Sequence, residues 1–333
     1  MDLKVLRAAL NKANPALLTS NTGLSLYYLG MDLLVLGTLC HYKELFFVVP
    51  VLGYLLWINL MGLMMWALFV VGHDCGHGTF SSFPVINTIC GHLAHSPLLV
   101  PYHAWQKSHY LHHLHHNHID KDHSWKPYRK QIYDTYTGIW KYLRFSKLLL
   151  GLFPIYLLSD SPQASGNHFN PHSRLFETEK EKRQAWLSIG CVSLFLLTYL
   201  ASYGFASFVV YYLPCYLVFV CWLDLVTFLH HTDSTGIYYA QESWTFLRGA
   251  LTTYDRSYSQ LIDHIQHNIG HHTIHHLFFT SIPHYHLREA TTILKPLLPG
   301  YKEDSTPIWK AFVRNQKACQ YVPNQGSQVR YVQ

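Results

Sequence analysis

The chain has 25 histidines, more than its 19 Asp and Glu together, and most of them gather in short clusters. His73 and His77 stand four apart in HDCGH. HYLHH supplies His109, His112 and His113, with His116 one turn further on, and HTIHH supplies His272, His275 and His276. Residues three and four apart share a helical face and can point at one ion. Neutral imidazole suits zinc, copper, iron and nickel. Four imidazoles saturate a tetrahedral zinc, so three clusters call for two ions of higher coordination. The sequence contains no HExxH of a zinc protease and no Glu-x-x-His pair of a soluble di-iron bundle. The chemistry left is an all-imidazole, iron-like dinuclear centre. For the isolated His41, His123, His168 and His172, a solvated surface role is the simpler expectation.

The elements that must position these clusters are apolar. Of 333 residues, 49% are hydrophobic and 13% charged, about half the charged share of a soluble domain, so a membrane is the expected solvent. Four runs, 24–40, 45–71, 186–203 and 205–229, are long enough to cross the roughly 30 Å hydrocarbon layer as helices. HYKE joins the first pair and little more than Gly204 the second, so each pair reads as a helical hairpin. Lys43 is the only basic residue on one side of these hairpins; all other Lys and Arg lie before, between or after them. By the positive-inside rule both termini and the central stretch are cytosolic. His73 and His77 follow the second run directly and His230 and His231 follow the fourth, so every dense cluster falls at one membrane face.

The predicted fold is therefore an all-α integral membrane protein. It has four transmembrane helices in two hairpins and a cytosolic helical cap carrying a His-rich di-iron site, all in a single domain over 1–333. The chain divides into an N-terminal segment (1–23), the first hairpin (24–71), a first cap segment (72–185), the second hairpin (186–229), a second cap segment (230–300) and a C-terminal tail (301–333) expected to be the least ordered. Two shorter apolar pieces, 85–100 and 148–158, are expected to lie in the interface. The seven cysteines show no paired spacing, which points to a reducing compartment. The N-terminal MDLKVLRAALNKANPALL lacks a signal-peptide core, so insertion relies on the internal runs.

The boxes HDCGH, HYLHH and HTIHH resemble those of the membrane fatty acid desaturase family. GHLAHSPLLVPYHAW, WLDLVTFLHH, LRGALTTYDRSY and IPHYHLREA bring the likeness to its methyl-end branch. VPYHAW, LTTYDR and IPHYHL are more similar to omega-3 than to omega-6 (delta-12) members. The resemblance implies an enzyme that uses two irons and dioxygen to place a cis double bond in an unsaturated acyl chain, linoleoyl to alpha-linolenoyl for an omega-3 member. It implies His73, His77, His109, His112, His113, His231, His272, His275 and His276 as metal ligands, with His116, His118 and His267 as ligands or their supports. Two departures affect the register. His115 creates an overlapping second HxxHH, and the third box reads GHHTIHH, with His271 and Thr273 in unusual places.

Asp224 and Asp32 lie inside apparent spans, where an ionisable residue is costly and a functional suspect by default. Asp224, seven residues before His231, is expected to accept a hydrogen bond from a ligand imidazole and fix its tautomer, with a carboxyl satisfied inside the bundle as the plainer alternative. Asp74 and Asp263 carry the same two readings. Trp57, Trp66, Phe69, Tyr216, Phe219 and Trp222 are candidates for an acyl tunnel, with packing the commoner role.

No nucleotide, flavin, haem-attachment or cytochrome b5 motif appears, so electrons are expected from another protein. That protein is cytochrome b5 with its reductase at the endoplasmic reticulum, or a ferredoxin in a plastid or bacterium. The formal charge of +6 favours an acidic carrier and anionic lipid, and nothing points to nucleic acid. The competing readings are a delta-12 desaturase, a hydroxylase or acetylenase on the same scaffold, and a non-enzymatic membrane metal carrier. A carrier would place ionisable residues along the spans rather than at their ends.

Overall fold

In the computed structural model, which describes residues 2–139, 141, 150–160 and 165–332, the chain is mostly helical. The helices that build the site are α1 (Leu3–Ala13), α2 (Thr22–His41), α3 (Pro50–His77), α4 (Pro84–His95), α5 (Tyr102–Leu114) and α6 (Phe153–Leu158). Then come α7 (Glu179–Ser207), α8 (Leu213–His231), α9 (His272–Phe278), α10 (Leu287–Leu294) and α11 (Ile308–Ala318). Among the described residues three helical stretches are long and apolar enough to cross a membrane: Thr22–His41, Pro50–His77 and Glu179–His231.

The third stretch is two antiparallel helices. Gly204 breaks it with φ 78° and ψ 165°. Beyond the break, the Tyr212 ring lies 5.9 Å from Phe195 and 5.4 Å from Tyr199. Residues 17 apart on a continuous helix would be about 25 Å apart, so the chain has turned back on itself, as the lone Gly204 between two apolar runs predicts. The first pair also folds back, with the Trp57 indole donating to the Leu39 carbonyl at 2.9 Å. Leu34, Val51, Leu52, Leu194, Leu197 and Phe205 are exposed on these helices, an apolar belt larger than a water-facing surface tolerates.

The inner face of α3 is buried from Met61 to Cys75 against α8 and α4. At Gly72 a Cβ would stand 2.4 Å from the His95 ring, so the close approach of α4 requires glycine there. α3 stops immediately after its second box histidine because Gly78 adopts φ 75°, a left-handed cap, and donates back to Asp74 and Cys75. α7 starts with a reciprocal capping box between Thr178 and Glu181.

The segments outside the spans pack rather than trail. Leu6 and Leu10 of the amphipathic α1 are fully buried, and Asn14 donates to Glu289 of α10 at 3.1 Å. The C-terminal stretch, expected to be the least ordered part, packs as well. α11 buries Phe312, Asn315 and Gln316, and Gln328–Val329 pairs antiparallel with Tyr238–Tyr239. Its apolar positions Ala311, Phe312 and Ala318 have a surface to cover, which the polar composition of the segment hides. Of the apolar piece 148–158, residues 148 and 149 lie outside the described residues and 153–158 form α6.

Candidate metal centre

Four helix ends converge below the spans. The C-terminal turns of α3 and α8 bring His73, His77 and His231, α5 brings His109, His112, His113 and, just past its end, His116, and α9 brings His272, His275 and His276. They sort into two groups. His73, His77, His109, His113 and His275 form one, and His112, His116, His231 and His276 the other, each with ring nitrogens within 4.8 Å of one another. The groups adjoin, the rings of His113 and His276 being 4.1 Å apart. His272 borders the second group, its Nε2 3.1 Å from that of His231.

The α5 spacing explains the division. His109 and His113 make one i,i+4 pair and His112 and His116 another, displaced around the helix, so one element serves both groups. On α9 the consecutive His275 and His276 diverge to opposite groups. The two HxxHH registers are therefore interleaved. His116 belongs to the second group, whereas His115 turns away, its Nδ1 3.2 Å from the Leu111 carbonyl.

In the first group, Nε2 atoms approach each other at 3.2 Å (His73 and His77), 3.1 Å (His77 and His109), 3.1 Å (His109 and His113) and 3.2 Å (His113 and His275). Hydrogen bonding cannot satisfy this chain. A neutral imidazole nitrogen carries a proton or a lone pair, not both, so at least one lone pair would serve two donors. Neighbouring ligands around an ion bound at about 2.1 Å are roughly 3 Å apart, which matches these separations. In the second group both ring nitrogens of the buried His276 have no hydrogen-bond partner among the described residues. Burial, reinforced by neighbouring imidazoles, drives His109, His113, His272, His275 and His276 well below the usual imidazole range, and His116 to about 3. All are neutral, with lone pairs available. A pair of imidazole-bound cations fits this donor set.

One carboxylate supports it directly. Asp122 Oδ1 is 2.7 Å from His112 Nδ1, and Asp122 also accepts from the backbone N–H of Asn117, Ser124 and Trp125. Although burial opposes its ionisation, His112, His116 and these donors hold its carboxyl well below the usual range. Sequence reasoning missed this residue. The available signal was its place in DHSW, ten residues past His112 and beside an aromatic.

The other expected supports lie elsewhere. Asp224 does not meet an imidazole: its Oδ2 accepts from the backbone N–H of Gly151 at 2.7 Å and Leu152 at 2.6 Å, because its side chain points at the start of α6 rather than along the helix toward His231. Asp263 accepts from Ser257, from Tyr258 N at 2.8 Å and from Gln266, closing its own loop. Asp74 is 3.8 Å from His73 Nδ1, beyond hydrogen-bond reach, and instead takes His284 Nδ1 at 2.8 Å. His267 is outside both groups, 2.8 Å from Asp32, which accounts for the charge in α2. His118 faces Gln241, away from the metal groups. His168, expected at the surface, is buried against Ser108 at 2.8 Å.

A cavity of about 310 Å³ opens onto both groups, reaching His73, His109, His112, His231 and His272. Trp66, Phe69, Trp105, Phe153 and Leu223 wall it, and Phe312 and Gln316 of α11 line it too. Of the six tunnel candidates, Trp66 and Phe69 line the cavity. Trp57 instead packs against Phe47 and Tyr211. Trp105 stacks on His109 at 4.5 Å, so the apolar wall begins at the metal groups themselves.

The profile of the family described as fatty acid desaturase matches residues 47–308. The chain belongs to the fatty acid desaturase family. Among relatives, it is 44% identical to an sn-1 acyl-lipid omega-3 desaturase (ferredoxin) of Synechocystis sp., over 92% of this chain and 85% of that protein. It is 42% identical to an omega-3 fatty acid desaturase, endoplasmic reticulum, of Nicotiana tabacum, over 84% and 76%. With an acyl-lipid omega-3 desaturase (cytochrome b5), endoplasmic reticulum, of Arabidopsis thaliana it shares 43% over 81% and 72%. In a desaturase of this family, the histidine groups and the apolar cavity are what oxidation of a lipid chain requires.

Proposed function

We propose that this desaturase is an omega-3 acyl-lipid desaturase that converts linoleoyl to alpha-linolenoyl chains in a membrane. The observation that carries the reading is the pair of buried imidazole groups facing one aromatic cavity, together with the omega-3 names of the relatives. Two irons would be held by His73, His77, His109, His113 and His275 on one side and by His112, His116, His231 and His276 on the other, with His272 as a further donor. Bound there, they would activate dioxygen as the oxidant, chemistry that no side chain supplies. The balance is one CH2–CH2 unit losing two hydrogens, one dioxygen taking those plus two electrons and two protons, and two waters leaving.

The residues of the chain supply the rest. Asp122 fixes the His112 ring through Nδ1, which would leave Nε2 to hold an ion. Trp105, Phe69 and Phe153 exclude water and guide the methylenes, which offer no polar handle. The spans are four, the third apolar stretch being divided at Gly204, and the distribution of basic residues favours cytosolic termini and a cytosolic site.

The electron donor is a small acidic one-electron carrier, a cytochrome b5 at the endoplasmic reticulum or a ferredoxin in a plastid or bacterial membrane, as the relatives' names divide. Expression in yeast with oleate and linoleate fed separately tests the activity. A new double bond from linoleate alone supports omega-3, one from oleate supports delta-12, and oxygen retained in the product identifies a hydroxylase. Purified protein should carry two irons per chain; a single zinc would overturn the reading.

A further inference from the structure

Among the described residues, Asp224, a carboxylate in a largely apolar helix, meets neither a cation nor a metal-group imidazole. Its Oδ2 instead receives two successive backbone N–H groups, Gly151 and Leu152, which lead into α6. Gly151 has φ 108°, a conformation glycine alone adopts without strain, and it turns both N–H groups to the same oxygen. The next residue, Phe153, is buried and stands edge-on to Phe69 at 6.0 Å. Phe69 lies one turn before His73, and Asp224, Leu152, Phe153, Phe69 and His73 all line the cavity that reaches both histidine groups.

Successive methylenes of an acyl chain are chemically alike, so the pair that reacts is selected by where the chain comes to rest against its walls. A displacement of about 1 Å at a reacting centre can cost on the order of 100-fold in rate. We propose that Asp224 is a positioning residue for the acyl chain. By tying the Gly151–Leu152 backbone to the fourth span it sets where Phe153 stands in the cavity wall, and so which methylene pair meets the metal centre. The inference rests on the desaturase reading.

The test compares Asp224→Asn, which keeps an oxygen able to accept both N–H groups, with Asp224→Ala, which leaves them unpaired. Each is expressed in yeast fed 16- and 18-carbon dienoic acids, and double-bond positions and chain-length ratios are read by mass spectrometry against membrane protein level and bound metal. Asp224→Asn should keep the wild-type product pattern. Asp224→Ala should lower turnover at least several-fold and shift the chain-length ratio or bond position, at unchanged metal content. Phe153→Leu, which leaves the Asp224 contacts in place, should shift the pattern in the same direction, and it decides the matter if Asp224→Ala fails to accumulate. An unchanged pattern in Asp224→Ala, or in Phe153→Leu where that variant decides, overturns the proposal, as does Asp224→Asn failing as badly as Asp224→Ala. Wild-type product from linoleate in the same cultures tests the desaturase reading separately.

Discussion

His112 and Asp122 form a buried pair, Nδ1 to Oδ1 at 2.7 Å, with both side chains almost wholly excluded from solvent. The carboxylate engages Nδ1 on one side of the ring, which leaves the opposite nitrogen to the second histidine group. A supporting carboxylate of this kind typically contributes 10- to 100-fold in metal affinity, about 1.4 to 3 kcal/mol. Asp122→Ala should therefore weaken one of two metal sites by that factor and leave the other loaded, as read by metal content during chelator titration.

The interleaved register makes a sharper distinction among neighbouring histidines. His116→Ala should reduce bound metal toward one ion per chain and abolish turnover. His115→Ala and His118→Ala, whose rings face Leu111 and Gln241, should keep two ions. Equal metal loss in all three variants would refute the division into groups.

Acid should destabilise the protein through its buried neutral histidines. His168 is held down to about 3 by burial, against about 6.5 unfolded. Between those values the unfolded chain binds a proton that the native chain does not, so stability falls as pH drops from about 6.5 toward 3 and is fully present above 6.5. His123, pushed to about 4, adds in the same direction. Thermal unfolding in detergent should show this slope. His168→Leu should lower stability at pH 7.5, through loss of the Ser108 contact, while flattening the acid limb.

Electron delivery should respond to salt. The net charge is +6, and the Debye length shrinks from about 10 Å at 0.1 M to about 3 Å at 1 M. Turnover driven by a reduced acidic carrier should fall steeply over that range, while reduction by a small neutral reductant should change little. Equal responses would argue against electrostatic docking.

The long apolar helices and the histidine boxes at their ends were legible because both are local properties. Hydropathy accumulates along a run, and a box placed directly after a run must emerge at its end. Gly204 as the turn of the second hairpin was legible for the same reason. The partners of the buried carboxylates were not. Asp224 sits on the helical face that leads to His231, yet its oxygen is taken by Gly151 and Leu152 some seventy positions away in the chain. Asp74 neighbours His73 in sequence but bonds to His284. The packing of α11 escaped notice because three small or aromatic residues in a polar tail look like a loop until a complementary wall is present.

The amino-acid sequence by itself determined that histidine boxes would stand at the ends of long apolar helices, since helical period and apolar length are read along the chain. Only the tertiary structure decided which ring joins which group, because that depends on rotation of α5 and α9 about their axes, and those angles are set by side chains packed from distant segments. The same holds for the apolar cavity: its wall is assembled from α3, α5, α6, α8 and α11, and no stretch of sequence contains enough of it to be recognised.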